Sequence, residues 1–132
     1  MRYLTGLITL LQIVLLCSAC ATSPDRIAPE TLAGDWIASE QQPGQGQVDT
    51  YMQIRRDGTF DGSLQINAKT VWTFGGRWTL AGKDITWEYT RSSLVLLDED
   101  RAEVDTILQL QGNELQLSSA RHGTVRTLQR AR

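Results

Sequence analysis

The chain is short of the residues that most site chemistry uses. Of its 132 residues one is histidine, His122, and two are cysteine, Cys17 and Cys20, both near the N-terminus. A zinc centre draws about four ligands from nitrogen and sulfur side chains, so a lone histidine leaves it almost nothing to use. No serine has a histidine within the strand-rich region to activate it, which argues against a nucleophilic triad. The same shortage of thiols excludes an intrachain disulfide from the folded part. Neither sign of charge dominates: 13 Lys and Arg against 15 Asp and Glu give a net charge of -2, scattered along the chain. There is therefore no basic footprint for nucleic acid. No long helical pattern is present either. The composition points to a non-enzymatic, cofactor-free chain with room for one domain.

What is present begins with an apolar run. Arg2 is the only charge in the first twenty residues, Leu4 to Leu16 is almost wholly apolar, and Cys17-Ser18-Ala19-Cys20 follows. This is a signal-peptide pattern, and it is shorter than the ~20 residues a transmembrane helix needs. The small residues Ser18 and Ala19 before Cys20 resemble the lipobox of bacterial lipoproteins, although Cys17 stands where that motif usually has leucine. The resemblance implies cleavage before Cys20 and three acyl chains on that residue. Two chains already make a stable anchor at ~0.8 kcal/mol per buried CH₂. Ala21 follows the cysteine where members kept at the inner membrane typically have aspartate, so the resemblance implies an outer-membrane, periplasm-facing location. Residues 1–19 are thus expected to be the signal segment and 20–31, with Pro24 and Pro29, a lipidated cysteine and flexible tether. Residues 32–132 are expected to form the domain.

The domain is organised by Val48 to Arg91, which alternates apolar and polar residues between turn signals and reads as four antiparallel strands. Register can be argued from it. Val48, Thr50, Met52 and Ile54 share one face, as do Phe60, Gly62, Leu64 and Ile66. A two-residue turn at Asp57-Gly58 would send one of these faces into water, because a one-residue slip inverts every side chain. A three-residue loop, Arg56 to Gly58, instead sets Ile54 opposite Phe60 and Met52 opposite Gly62, with Gly58 left-handed in a bulge-type turn. A three-residue loop at Asn67 to Lys69 then faces Leu64 with Trp72 and Gly62 with Phe74. A two-residue turn at Gly82-Lys83 pairs Leu80 with Ile85, Trp78 with Trp87, Gly76 with Tyr89, and Arg77 with Glu88.

Before this stretch, Leu32 to Ile37 reads as a short first strand and Glu40 to Gln47 as a flexible loop. After it, Ser92 to Glu103 is compatible with a further strand, a short helix or a loop. The meander then resumes, Gly112-Asn113 pairing Leu110 with Leu115 and Leu108 with Leu117, and His122-Gly123 pairing Leu117 with Leu128. About eight short strands joined by tight turns argue an all-β up-and-down meander. Closing it into a barrel removes both exposed edges. Gly34-x-Trp36, Asp57-Gly58-Thr59-Phe60, Gly76-x-Trp78 and a last strand ending in arginines resemble the small lipocalin-like barrels of bacterial secreted and lipid-anchored proteins. That resemblance implies that Trp36 closes one barrel end under an arginine, here Arg126 or Arg130.

Phe60, Trp72, Phe74, Trp78, Trp87 and Tyr89 are expected to point inward, with Gly62 and Gly76 leaving room among them. An eight-stranded barrel is just wide enough to be filled by side chains or to hold one small ligand, so these residues either line a pocket for an apolar molecule or form a solid core. Arg91, expected at the inward end of its strand, would mark the pocket's polar mouth and meet a carboxylate or phosphate, or else sit in solvent at the rim. Asp98, Glu99, Asp100, Glu103 and Asp105 carry the oxygens calcium prefers, but their spacing matches no calcium loop, and a solvated acidic turn is expected. The functional expectation is a membrane-anchored periplasmic lipoprotein that binds a small apolar ligand inside the barrel. The alternative is an envelope protein-interaction module, such as an assembly factor or protease inhibitor, with a solid core and contacts through Glu40 to Gln47 or Asp98 to Glu103.

Overall fold

The computed structural model describes residues 26–132. The signal segment and Cys20 lie outside the described residues. Eight antiparallel strands run in sequence order and close on themselves: β1 (Gly34–Gln42), β2 (Gly46–Ile54), β3 (Thr59–Ile66), β4 (Lys69–Ala81), β5 (Asp84–Ser92), β6 (Ala102–Gln111), β7 (Glu114–Ser119) and β8 (Val125–Arg130). The architecture is the up-and-down barrel expected, and it is consistent with a lipocalin-like one. Closure rests on a short seam, since β1 and β8 pair only at Trp36 with Arg130 and Ile37 with Gln129.

The hairpin arithmetic holds where turn chemistry dictates it. Ile54 faces Phe60 and Met52 faces Gly62, across a turn in which the Gly58 amide donates to Arg55 O at 3.2 Å and Gly58 has φ +86. Asp57 Oδ1 accepts from the Thr59 amide at 2.9 Å, and the Trp78 indole donates to Arg55 O at 2.9 Å, so the turn is tied to β4. Leu80 with Ile85, Trp78 with Trp87 and Gly76 with Tyr89 all pair as expected. Arg77 and Glu88 meet at 3.1 Å, exposed, and are worth ~0.2–1 kcal/mol at most.

Elsewhere the strands reach their register by another route. Leu64 does face Trp72, but the turn contains two residues, Asn67 and Ala68, both at positive φ, and the missing residue reappears as a bulge at Val71. The loop expected at Glu40 to Gln47 is mostly strand: β1 continues to Gln42 and pairs with β2 from Gly46 onward. Asn67 holds the short turn between them, accepting from the Gln47 amide at 3.1 Å and donating to Gln45 O at 3.2 Å. Leu117 pairs with Arg126 rather than Leu128, because the last hairpin is closed by a wider loop in which the Gly123 amide donates to Ser119 O at 2.8 Å. The shift is by two residues and leaves the faces unchanged. A bulge at Leu108 is different. Ile107, not Leu108, faces Leu117, and Leu108 is turned to solvent, 53% exposed. From that point β6 presents Asp105 and Glu103 to the interior instead of Thr106 and Val104.

The two barrel ends differ. At the end carrying the turns at Gly58, Gly82 and Gly112, the interior is solid: Leu32, Trp36, Ile54, Phe60, Ile85, Leu115 and Leu128 are almost wholly buried. Each such side chain contributes ~1.5–3 kcal/mol on transfer from water. Ile27 packs against this cluster, and a 3₁₀ turn at Pro29–Thr31 brings Leu32 under it, so the last part of the segment read as tether plugs this end. Trp36 donates to Leu32 O at 2.9 Å and lies beneath Arg130, whose Cζ is 4.3 Å from the ring centroid. Arg130, not Arg126, therefore makes the cation–π contact, worth ~0.5–2 kcal/mol. A Cβ on Gly34 would lie 2.5 Å from Arg130 Nη1. That is the physical content of Gly34-x-Trp36: the glycine lets the guanidinium cross the strand to reach the indole and to donate to Ala33 O and Thr31 O.

Replacing Gly58 by valine tests the bulge turn. A Cβ there would meet nothing closer than 3.7 Å, so the cost is conformational, the left-handed backbone being worth about 1–2 kcal/mol against a side chain. Urea denaturation should show a loss of that order, and unchanged stability would remove the turn assignment.

Candidate functional site

The opposite end is the mouth, where the chain reverses at 43–45, 67–68, 93–101 and 120–124. Below it the interior holds a cavity of about 160 Å³ lined by Thr50, Met52, Leu64, Trp72, Phe74, Trp87, Tyr89, Glu103 and Arg126. A second lobe of about 140 Å³, against Ala38, Glu40, Gln42 and Val48, shares Thr50, Leu64 and Arg126 with the first. It lies on the side where β1 and β8 have ceased to pair. An apolar cavity near 150 Å³ accommodates one benzene ring, so the interior is larger than a water site and smaller than a fatty-acid channel.

One wall is aromatic. Trp72 and Phe74 have ring centroids 4.3 Å apart, and Tyr89 lies 5.7 Å from each of them. Trp72 is oriented by its indole, which donates to Ser92 Oγ at 2.8 Å. Trp87 rests edge-on against Phe60, their ring centroids 5.0 Å apart. Four of the aromatic residues singled out in sequence, Trp72, Phe74, Trp87 and Tyr89, thus line the cavity. Phe60 and Trp78 belong to the solid half beneath it. Neither glycine provides space: the Phe74 ring occupies the room over Gly62, and at Gly76 the β5 backbone approaches too closely for any side chain.

The rest of the lining includes polar groups from β6 and β8, and sequence alternation did not assign those of β6 to the interior. Asp105 is 1% exposed. Its Oδ2 accepts from Trp87 Nε1 at 2.8 Å and from Arg126 Nη2 at 2.8 Å. Beside it Glu103 accepts from the Tyr89 hydroxyl at 3.1 Å. Glu103 and Asp105 therefore do not belong to the solvated acidic turn, which is confined to Asp98–Asp100, a 3₁₀ turn. Arg126, one of the two arginines expected over Trp36, instead pairs with Asp105. Burial, and next the Glu103 carboxylate, push the Tyr89 hydroxyl well above its ordinary pKa.

Arg91 does not line the cavity and takes the solvent-facing alternative. A bulge at Thr90 sets Gly75 opposite Arg91, so the guanidinium emerges on the outer face and pairs with Asp61 at 2.6 Å. Gly75 lies beneath that pair, where a Cβ would come 2.5 Å from both partners. Arg55 also reaches Asp61, at 2.5 Å, and its hydrogen bond is the largest cause of the lowered Asp61 carboxyl pKa. The connection between β5 and β6 contributes something else to the mouth: Leu94, Val95 and Leu97 are exposed, Val95 at 99%.

No protein-family model matches the chain, and a search of curated proteins finds no significant relative.

Two variants probe the polar part of the lining. Arg126→Met leaves Asp105 buried without its cation. Breaking a buried pair from one side costs ~3–5 kcal/mol, and because the Arg126 side chain is 34% exposed and Trp87 still donates, denaturation should show a loss at or below the lower end of that range. Tyr89→Phe tests the alkaline side. A hydroxyl whose folded pKa is raised contributes stability that is full below the unfolded value of ~10 and is lost as pH climbs beyond it. The variant should flatten the fall in stability above about pH 10, and an unchanged slope would remove Tyr89 from that account.

Proposed function

We propose that this chain is a binding protein that holds a small, mainly apolar ligand in the mouth half of its barrel and does no chemistry on it. The observation that carries the reading is the cavity of about 160 Å³ whose lining combines Trp72, Phe74 and Tyr89 with Glu103 and Arg126. Ligand sites typically combine an apolar lining with a few convergent polar groups, and the solid half beneath keeps such a site rigid. Its size suits a one-ring molecule or a short chain. The lipobox-like Cys17-Ser18-Ala19-Cys20 supports an anchor on Cys20 and a place on the periplasmic face of the outer membrane.

The reading is tested by tryptophan fluorescence, since Trp72 and Trp87 stand in the cavity wall. Titration with toluene should give a saturable change, and Thr50→Phe, which fills the cavity, should abolish it without loss of the folded state. Saturable binding that survives Thr50→Phe would put the ligand elsewhere; a folded protein with no response would overturn the reading.

A second reading, an envelope protein-interaction module, is favoured by the exposed Leu94, Val95 and Leu97 at the mouth. Apolar side chains grouped on a surface mark contact sites more often than scattered ones. Changing all three to serine should remove a crosslinked partner in whole cells while leaving the toluene titration intact. An unchanged crosslinking pattern would set this reading aside.

A further inference from the structure

The charges around the cavity carry the proposed function one step further, to the class of ligand, and this step rests on that reading. Among the described residues, the charged groups that line the two lobes are the carboxylates of Glu103 and Glu40 and the guanidinium of Arg126, with Asp105 buried behind that arginine. Arg126 is committed to Asp105 at 2.8 Å, and Asp105 is too deeply buried to give it up without remaining charged and unpaired. Glu103 is left with a neutral donor, the Tyr89 hydroxyl at 3.1 Å, and forms no ion pair among the described residues. Arg121, whose charge also feels Glu103, is held outside the barrel by Asp100. An anionic head group would thus meet a net negative wall and would have to displace Asp105 from its arginine. A cation meets the opposite situation. Glu103 offers it a carboxylate in the cavity lining, and the clustered rings of Trp72, Phe74 and Tyr89 supply aromatic surface of the kind that attracts positive charge and accepts an apolar body.

We infer that the barrel takes a small organic cation, an ammonium on a one-ring or short-chain body, with the charge at Glu103 and the body against Trp72 and Phe74. The test uses the full chain in micelles of an uncharged maltoside detergent at pH 7, with empty micelles subtracted. Benzylamine, protonated at that pH, is compared with benzyl alcohol and benzoate, which share its ring and differ in charge. Benzylamine should bind about tenfold more tightly than either, a difference of ~1.4 kcal/mol. Glu103→Gln, which still accepts from Tyr89, should erase that preference by bringing benzylamine down to the affinity of benzyl alcohol. Equal or tighter binding of the alcohol or benzoate to the unaltered protein would overturn the cation assignment while the binding reading stands. A benzylamine preference that survives Glu103→Gln would overturn Glu103 as its partner. No response to any of the three from folded protein would overturn the binding reading itself.

Discussion

The Asp105 carboxylate holds together the part of the barrel that would otherwise be weakest. It sits on β6 and receives the Trp87 indole of β5 and the Arg126 guanidinium of β8, joining strands that are not all neighbours. A carboxylate with 1% exposure would cost several kcal/mol without such partners. With them it becomes a polar divider: below it apolar side chains fill the cylinder, and above it lies the cavity.

Space in the mouth half follows from that divider. Leucine or phenylalanine at the inward positions of β6 and β8 would have filled the upper barrel as they fill the lower one. Asp105 and Arg126 instead satisfy each other and Trp87, and Glu103 accepts from Tyr89. The strand seam is paired only at the plugged end, where Arg130 over Trp36 reinforces it. The cavity and the parted strands therefore occupy the same side of the molecule.

Three bulges separate what could be read in advance from what could not. The one at Val71 was harmless to the reading, because a two-residue turn plus one bulged residue has the same arithmetic as a three-residue loop, and Leu64 met Trp72 either way. The bulge at Thr90 reversed Arg91 from inside to outside, where Asp61 receives it. The bulge at Leu108 reversed the whole beginning of β6 and carried two carboxylates into the barrel. Alternation cannot reveal such an inversion, since Val104 and Leu108 look like better inward residues than Glu103 and Asp105. What outweighs it is a set of partners on other strands, distant in sequence.

The amino-acid order by itself determined the meander, its closure and the register of the hairpins at Gly58 and Gly82, because period-two alternation and the turn chemistry there are local and act on adjacent strands. It also determined which aromatic residues face inward on β3 to β5. Only the tertiary structure decided which arginine covers Trp36, which faces the cavity, and that the interior is half solid and half open. Those outcomes depend on contacts between the first and last strands and on bulges stabilised across the barrel. A carboxylate's environment is set by the residues the fold brings to it, and for Asp105 and Glu103 those residues lie on other strands.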